Sequence, residues 1–144
     1  MFQNHIPVDF LRDESRKCGA AEAITFPRDT DELVAAVRAA AEQAQPITVQ
    51  GARTGISAGA VPDGGVIVNL SKMDRILGPR TDAAGNAFLR VQPGVPLIAL
   101  RRHLASDCRL PIADCSFAPS SDLRPPTSRF FFPPDPTETS ASLG

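Results

Sequence analysis

The chain has 144 residues, which suits one ordinary domain, and its 42% hydrophobic content is too high for a disordered chain. Fifteen Lys and Arg against sixteen Asp and Glu give a formal net charge of −1, which argues against a dedicated nucleic-acid-binding protein. A bound phosphate remains compatible with this charge, because a few backbone N–H groups can hold an anion locally.

The sequence also argues against a membrane or secreted protein. No apolar run approaches the length needed to cross a bilayer, and residues 1–10 lack a basic region followed by an apolar stretch. Cys18, Cys108 and Cys115 are odd in number and form no CxxC pair, so we interpret them as reduced thiols. We therefore expect a cytoplasmic protein with no membrane span.

The first elements lie within residues 1–46. We predict a short helix over residues 5–18, within an N-terminal lead-in of residues 1–21, and then a short strand over 23–26. The clearest helix follows, because Asp29 is a suitable N-cap and Glu32 lies three residues on, as in a capping box. Its apolar face is predicted to comprise Leu33, Val37, Ala40, Ala41 and Ala44.

The second part of the chain is richer in strands. Residues 47–50, 65–70 and 87–92 are predicted strands, residues 82–86 a hairpin or loop, and Pro96 begins a helix. That helix carries Leu97, Leu100 and Leu104 on one side. The elements do not alternate strictly between strand and helix, so the sequence predicts an α+β domain and not a doubly wound sheet.

The last part of the chain changes in character. Seven of the fourteen prolines lie between Pro111 and Pro136, so residues 113–132 are interpreted as a loop-like insertion. No closing helix or strand follows it. We therefore expect residues 22–144 to be an incomplete domain, with a C-terminal remainder in the intact protein.

The segment with the clearest chemical character is 50–59, which follows a predicted strand. Its three glycines let the main chain approach a ligand, and its successive N–H groups can form a nest for an anion. Thr54 and Ser57 add hydroxyl groups, Arg53 adds a positive charge, and no carboxylate is present. A pyrophosphate needs such a set of donors, although a plain glycine-rich turn between strands would show the same pattern. The P-loop and Rossmann motifs are absent, and the polar residues exclude an apolar membrane helix.

Four segments in order carry a family resemblance. They are QGARTG at 50–55 with the later Gly59, GGVIVNLSKMDRI at 64–76, VQPGV at 91–95 and PPDPTETSASLG at 133–144. In this order they resemble the FAD-binding domain of the p-cresol-methylhydroxylase and vanillyl-alcohol-oxidase type (PCMH-type). The most similar subgroup contains the D-subunit of glycolate oxidase, D-lactate dehydrogenase and D-2-hydroxyglutarate dehydrogenase. The resemblance covers residues 22–144 apart from 113–132.

The resemblance implies a set of FAD-binding residues. The pyrophosphate would be held by Gln50, Gly51, Ala52, Arg53, Thr54, Gly55 and Gly59, and the flavin side would be lined by Pro134, Asp135, Ser140, Ser142 and Gly144. Members of the family often have Gly and Asn where this chain has Ala52 and Arg53. Some relatives bond the flavin through a histidine in the first turn, which this chain lacks, so non-covalent FAD is expected. No catalytic or metal-binding residue is expected in this chain.

The resemblance further implies a flavoprotein oxidoreductase that transfers hydride from a 2-hydroxy acid, such as D-lactate or glycolate, to FAD. The substrate pocket would lie in a later cap domain, so residues 1–144 alone would be inactive. Two alternatives stay open. One is a truncated, non-catalytic remnant, and the other is a different flavoenzyme of the same fold, such as a sugar-alcohol or lactone oxidase or a UDP-N-acetylmuramate reductase.

Overall fold

The computed structural model describes residues 1–84 and 86–106, with the backbone alone for residues 105 and 106. The predictions for residues 113–132 and for the fourth segment, 133–144, fall outside these residues. The helices and strands, in chain order, are β1 (Ala23–Thr25), α1 (Thr30–Glu42), β2 (Ile47–Gln50), β3 (Val66–Asn69), β4 (Ile76–Thr81), β5 (Ala87–Val91) and α2 (Leu97–Ser106). Single 3₁₀ turns are formed by Val8–Leu11 and Leu70–Lys72.

The centre of the fold is a three-stranded parallel sheet in the order β1-β3-β2. Strand β3 lies between its two neighbours and is buried throughout, as its continuous apolar run predicts for a strand covered on both faces. Helix α1 covers the sheet through Ala40, which packs against Ala23 and Val66. A second cluster, formed by Val68, Leu70 and Met73 with the partly buried Leu33 and Ile47, continues the core towards the ends of the strands.

Helix α1 begins as its capping residues predict. The Asp29 carboxylate accepts a hydrogen bond from the backbone N–H of Glu32 at 2.9 Å, and the Glu32 carboxylate accepts one from the N–H of Arg28 at 2.9 Å. The predicted apolar face was only partly right. Ala36 and Ala40 are buried, whereas Val37 is 41% exposed. The face of the helix that packs on the sheet is therefore formed by small alanine side chains, and Val34 and Val37 lie on the exposed side.

The hairpin β4-β5 forms a separate two-stranded antiparallel sheet. Strand β5 and the turn after Asp82 were predicted, and the Asp82 carboxylate accepts hydrogen bonds from the N–H groups of Ala84 and Asn86 at 2.9 and 2.8 Å. Strand β4 was missed. Its sequence contains Gly78, with φ +94°, and a proline, which break the alternating pattern that marks a strand.

The predicted helix over residues 5–18 is wrong. Only Val8–Leu11 form a 3₁₀ turn, and the rest of the lead-in is extended or bent, with isolated bridges from Gln3 to Ile24 and from Arg12 to Cys18. Arg16 has φ +66°, which no right-handed helix allows. The carboxylate of Asp13 accepts a hydrogen bond from the backbone N–H of Ser15 at 2.9 Å, and such local bonds compete with helix formation.

The second helix and the fold class agree with the prediction. Helix α2 begins after Pro96 and buries Leu97 and Leu100, which are 5% and 3% exposed. The predicted α+β class is confirmed, with parallel and antiparallel pairing divided between two small sheets. Within residues 1–84 and 86–106, no helix combines the length and the apolar character that a bilayer crossing requires.

Candidate functional site

A loop of residues 51–62, the glycine loop, leaves the carboxyl end of β2 and leads back towards β3. The carboxyl end of β3 lies beside it, because Gln50 and Asn69 are register partners in the parallel pair β2-β3. The edge formed by the carboxyl ends of parallel strands is where open α/β sheets commonly bind ligands. The predicted pyrophosphate segment therefore lies at an edge suited to binding.

The side chain of Gln50 holds the glycine loop from its buried side. It is 1% exposed, and its Nε2 donates to the backbone carbonyl of Phe10 at 2.7 Å and to that of Ala60 at 2.8 Å. One carboxamide therefore joins the start of the loop, the end of the loop and the lead-in. Its polar atoms are engaged by the protein, so the side chain acts on the loop and does not point out of it.

Asn69 completes this buried network. Its Nδ2 donates to Oε1 of Gln50 at 3.3 Å and to the carbonyl of Gly51 at 3.4 Å, while its Oδ1 accepts from the N–H of Ser71 at 3.0 Å. Buried polar groups that are fully paired fix one arrangement of the chain. Gln50 and Asn69 together hold the first residue of the loop against the end of β3.

The side of the glycine loop opposite Gln50 is exposed to solvent at Gly55 and Ile56. A Cβ placed on Gly55 would meet no atom within 4 Å, and Gly55 and its neighbour Ile56 are both exposed. Packing among the described residues therefore does not require glycine at this position, and the missing side chain leaves the backbone accessible. The loop also contains no carboxylate that would repel an anion. An exposed, glycine-rich loop without carboxylates has the properties that binding of a phosphate group to backbone N–H groups and hydroxyls requires.

Two residues of the loop are in the left-handed region of backbone conformation without being glycine. They are Arg53, with φ +61°, and Ala58, with φ +65°. A side chain in this region strains the backbone by on the order of 1 kcal/mol, and the conformation persists where surrounding contacts enforce it. Contacts made by the Arg53 side chain are therefore relevant to the shape of the loop.

Phe10 of the lead-in provides a contact for Arg53. The guanidinium carbon of Arg53 lies 4.3 Å from the centre of the Phe10 ring, a cation–π geometry. Burial lowers the pKa of Arg53 and the nearby Asp9 carboxylate opposes this shift, but the guanidinium stays charged in proteins. On its other side the Phe10 ring meets Phe26 edge to face, with the ring centres 5.3 Å apart.

Asp13 is a buried carboxylate next to the same part of the lead-in. Its Oδ2 has no hydrogen-bond partner among the described residues, and the residue is 8% exposed. A hydrogen bond from the Ser15 side chain is the main cause that lowers its pKa, followed by desolvation, which opposes the shift. A lowered pKa means that the ionised carboxylate stabilises the fold above its unfolded-state pKa, and this contribution is lost as the pH falls through the folded-state pKa.

The second and third segments of the family pattern, 64–76 and 91–95, connect the central sheet to the hairpin and to α2. A Cβ on Gly94 would meet the carbonyl oxygen of Leu70 at 2.1 Å, so this glycine lets the chain after β5 pass close to the end of β3. Gln92 is buried, and its Oε1 accepts a hydrogen bond from the backbone N–H of Arg75 at 2.9 Å. These residues position the hairpin and α2 and take no part in the glycine loop.

The structure brings together the site residues predicted within the glycine loop, from Gln50 to Gly59. The predicted flavin-side residues Pro134, Asp135, Ser140, Ser142 and Gly144 lie outside the described residues. Sequence reasoning missed Phe10 and Asn69 as parts of the site. Only Asn69 carries a local signal, as a polar residue that ends a buried strand. Among the described residues, no group of three or more His, Cys, Asp or Glu could hold a metal ion.

Comparison with known proteins identifies the family. The family model described as "FAD binding domain" matches residues 21–121, which include the glycine loop, the central sheet and the hairpin. The chain belongs to the FAD binding domain family. The family match begins where the lead-in ends, so residues 1–20, including Phe10 and Asp13, lie outside it.

The individual relatives include a dehydrogenase and an FAD-linked oxidoreductase. The chain is 33% identical over 144 residues to a D-lactate dehydrogenase of Anaerostipes hadrus, in a match that covers 98% of this chain and 25% of the relative. It is 32% identical over 99 residues to an uncharacterized FAD-linked oxidoreductase of Mycobacterium tuberculosis, covering 66% of this chain and 21% of the relative. The chain thus spans about a quarter of the length of the curated relatives that it matches.

A solved structure supports the PCMH-type fold. The 6-hydroxy-D-nicotine oxidase of Arthrobacter nicotinovorans superposes with a TM-score of 0.57 at 21% sequence identity, and the match covers 73% of this chain and 23% of that protein. At this identity the likeness shows the fold alone. The predicted family is therefore confirmed by the family model, and the fold by the structural match.

The Gln50 network gives a stability prediction. In Gln50→Leu the carbonyls of Phe10 and Ala60 lose the donor that Nε2 provides, while Nδ2 of Asn69 keeps only its bond to the Gly51 carbonyl. Each buried acceptor left without a partner costs about 1–3 kcal/mol. We expect the free energy of unfolding to fall by about 3 kcal/mol in chemical denaturation. Gln43→Leu, at an exposed position after α1, is the matched control and should change it by less than about 0.5 kcal/mol. Equal stability of the two variants would contradict the network.

Proposed function

We propose that the protein containing this chain is an FAD-linked oxidoreductase that transfers hydride from a 2-hydroxy acid, such as D-lactate or glycolate, to FAD. The observation that carries the proposal is the family match, because it places the open glycine loop inside an FAD-binding domain. The identity of 33% to a D-lactate dehydrogenase supports the substrate class. The reduced cysteines inferred from the sequence support a cytoplasmic location.

The role proposed for the glycine loop is to bind the pyrophosphate of FAD. Its backbone N–H groups and the hydroxyls of Thr54 and Ser57 would donate hydrogen bonds to the phosphate oxygens, and Gly55 leaves room for their approach. When bound, FAD supplies the hydride-accepting chemistry. The chain's own contribution is then to hold the cofactor in a fixed place while later parts of the protein bind the substrate.

We propose that the FAD is held without a covalent bond. The support is that residues 50–62 contain neither histidine nor cysteine. A protein of the same fold shows that the alternative exists, since the glucooligosaccharide oxidase of Acremonium strictum carries a 6-S-cysteinyl, 8α-N1-histidyl FAD. Acid precipitation distinguishes the two cases, because a dissociable flavin stays in solution and a bonded flavin follows the pellet.

The role of Gly55 can be tested by filling the open space above it. In the complete gene product, Gly55→Trp should abolish FAD binding, because an indole would occupy the path of the pyrophosphate. The fold should stay intact, because residue 55 is exposed and a Cβ there meets no atom within 4 Å. Leu77→Trp, at an exposed position of β4, is the control and should keep its FAD. Stoichiometric FAD in a folded Gly55→Trp protein would rule out the glycine loop as the pyrophosphate site.

The substrate class can be tested by reduction of the bound flavin without oxygen. We expect D-lactate, glycolate or another 2-hydroxy acid to bleach the yellow colour of the complete gene product, whereas a simple sugar such as glucose should leave it unchanged. Absorbance of the oxidised flavin is the measurement. Bleaching by the sugar and not by any 2-hydroxy acid would instead support a carbohydrate oxidase.

A further inference from the structure

We propose that Phe10 and Arg53 form a pin that holds the glycine loop in its left-handed turn, so that the lead-in is a working part of the FAD site. This inference rests on the proposed function and deepens it, because it assigns Arg53 a positioning role and adds Phe10 to the site. The family match does not include the lead-in.

The first step of the argument is the backbone at Arg53. Its φ of +61° lies in the region that glycine and asparagine enter readily and that an arginine enters only against steric resistance. Among the residues next to it, Arg53 has the only long side chain, so it can reach a partner outside the loop.

The second step is the position of that contact. The Arg53 guanidinium lies over the Phe10 ring at 4.3 Å and is partly withdrawn from water, where a cation–π contact is stronger than at the surface. The Asp9 carboxylate, which pairs with Arg12 at 2.6 Å, also attracts the Arg53 guanidinium electrostatically. The Phe10 ring is the group over which the guanidinium lies.

The third step is that Phe10 is itself fixed. Its carbonyl accepts the hydrogen bond from Gln50, and its ring packs edge to face on Phe26, which directly follows β1. The ring is therefore tied both to the central sheet and to the base of the loop. A restraint anchored in this way can hold Arg53 in the strained conformation and aim the N–H groups of Thr54 and Gly55 towards the ligand.

The alternative role for Arg53 is direct contact with the phosphates. It is the only charged side chain among residues 43–62, so both roles are chemically reasonable and must be separated by experiment. They differ in one respect. A positioning role becomes unnecessary when the residue at 53 adopts the left-handed turn unaided, as glycine does, whereas a phosphate contact is lost with any residue that lacks the charge.

The main experiment measures FAD affinity of the complete gene product, freed of FAD and titrated again, for Phe10→Leu, Arg53→Gly and the double variant. Phe10→Leu should weaken FAD binding about tenfold. Arg53→Gly should bind within about threefold of the unaltered protein, and adding Phe10→Leu to it should change little, because interacting residues are not additive. Phe88→Leu, at a half-exposed position of β5, is the matched control and should have no effect.

Two results would overturn the pin. One is an unchanged affinity in a folded Phe10→Leu protein. The other is a large loss in Arg53→Gly to which Phe10→Leu adds its full effect, as expected for a direct phosphate contact. If Phe10→Leu does not fold, Arg53→Ala and Arg53→Gly decide the matter. Both lack the charge, but only alanine resists the turn, so the pin predicts that Arg53→Ala binds FAD about fivefold to tenfold more weakly.

A readout without FAD separates failure of the pin from failure of the proposed function. Trypsin cleaves after arginine, and the stacked Arg53 should be protected while the pin holds. Phe10→Leu should speed cleavage after Arg53 about tenfold in the FAD-free protein, and Phe88→Leu should not. Equal cleavage rates would overturn the pin even if FAD binds, whereas faster cleavage in a protein that binds no FAD would support the pin and reject the FAD site.

Discussion

The buried carboxamide of Gln50 is the interaction on which the candidate site depends. A loop that binds a phosphate must leave its own N–H groups free, so it cannot be stabilised by pairing them within the protein. In the glycine loop, carbonyl groups on the buried side supply contacts of another kind. Nε2 of Gln50 takes the carbonyls of Phe10 and Ala60, and Asn69 holds the carbonyl of Gly51. Carbonyl oxygens are thus engaged on the buried side, which leaves the open side to the ligand.

The parallel sheet explains why these groups meet. Gln50 ends β2 and Asn69 ends β3, and the register of the pair places them side by side. Strand β3 pairs with β1 on one side and with β2 on the other, and this pairing sets the register. Because Ala40 of α1 packs against Val66 of β3, the core is linked to the geometry of the loop. The 3₁₀ turn of the lead-in, Val8–Leu11, also contacts this group, because the carbonyl of Phe10 accepts a hydrogen bond from Gln50.

The sequence predicted those parts of the fold that depend on neighbouring residues. The cap of α1 joins residues three apart, and the turn at Asp82 joins residues four apart, so both are visible in the pattern. The segments for which the prediction was wrong or missing depend on contacts with residues far away in the sequence. Strand β4 exists because β5 pairs with it, despite Gly78. The lead-in is extended because it pairs with β1 and the loop, and the alanine face of α1 is chosen by the sheet.

The candidate site shows the same division. The glycines and hydroxyls of the loop could be recognised in the sequence, because they lie within ten residues of one another. The direction of a side chain could not, and Gln50 was grouped with the cofactor-binding residues although its carboxamide is turned into the protein. The contact of Phe10 with Arg53 joins residues from two segments that show no pattern in common. It follows from the folded arrangement of the lead-in, which the family pattern does not include.

Amide hydrogen exchange of the complete gene product with and without FAD tests the central claim most directly. The account predicts that FAD slows exchange in residues 51–59, whose N–H groups would bind the pyrophosphate, and leaves the hairpin β4-β5 unchanged. Protection that appears elsewhere while residues 51–59 exchange as fast as before would contradict it.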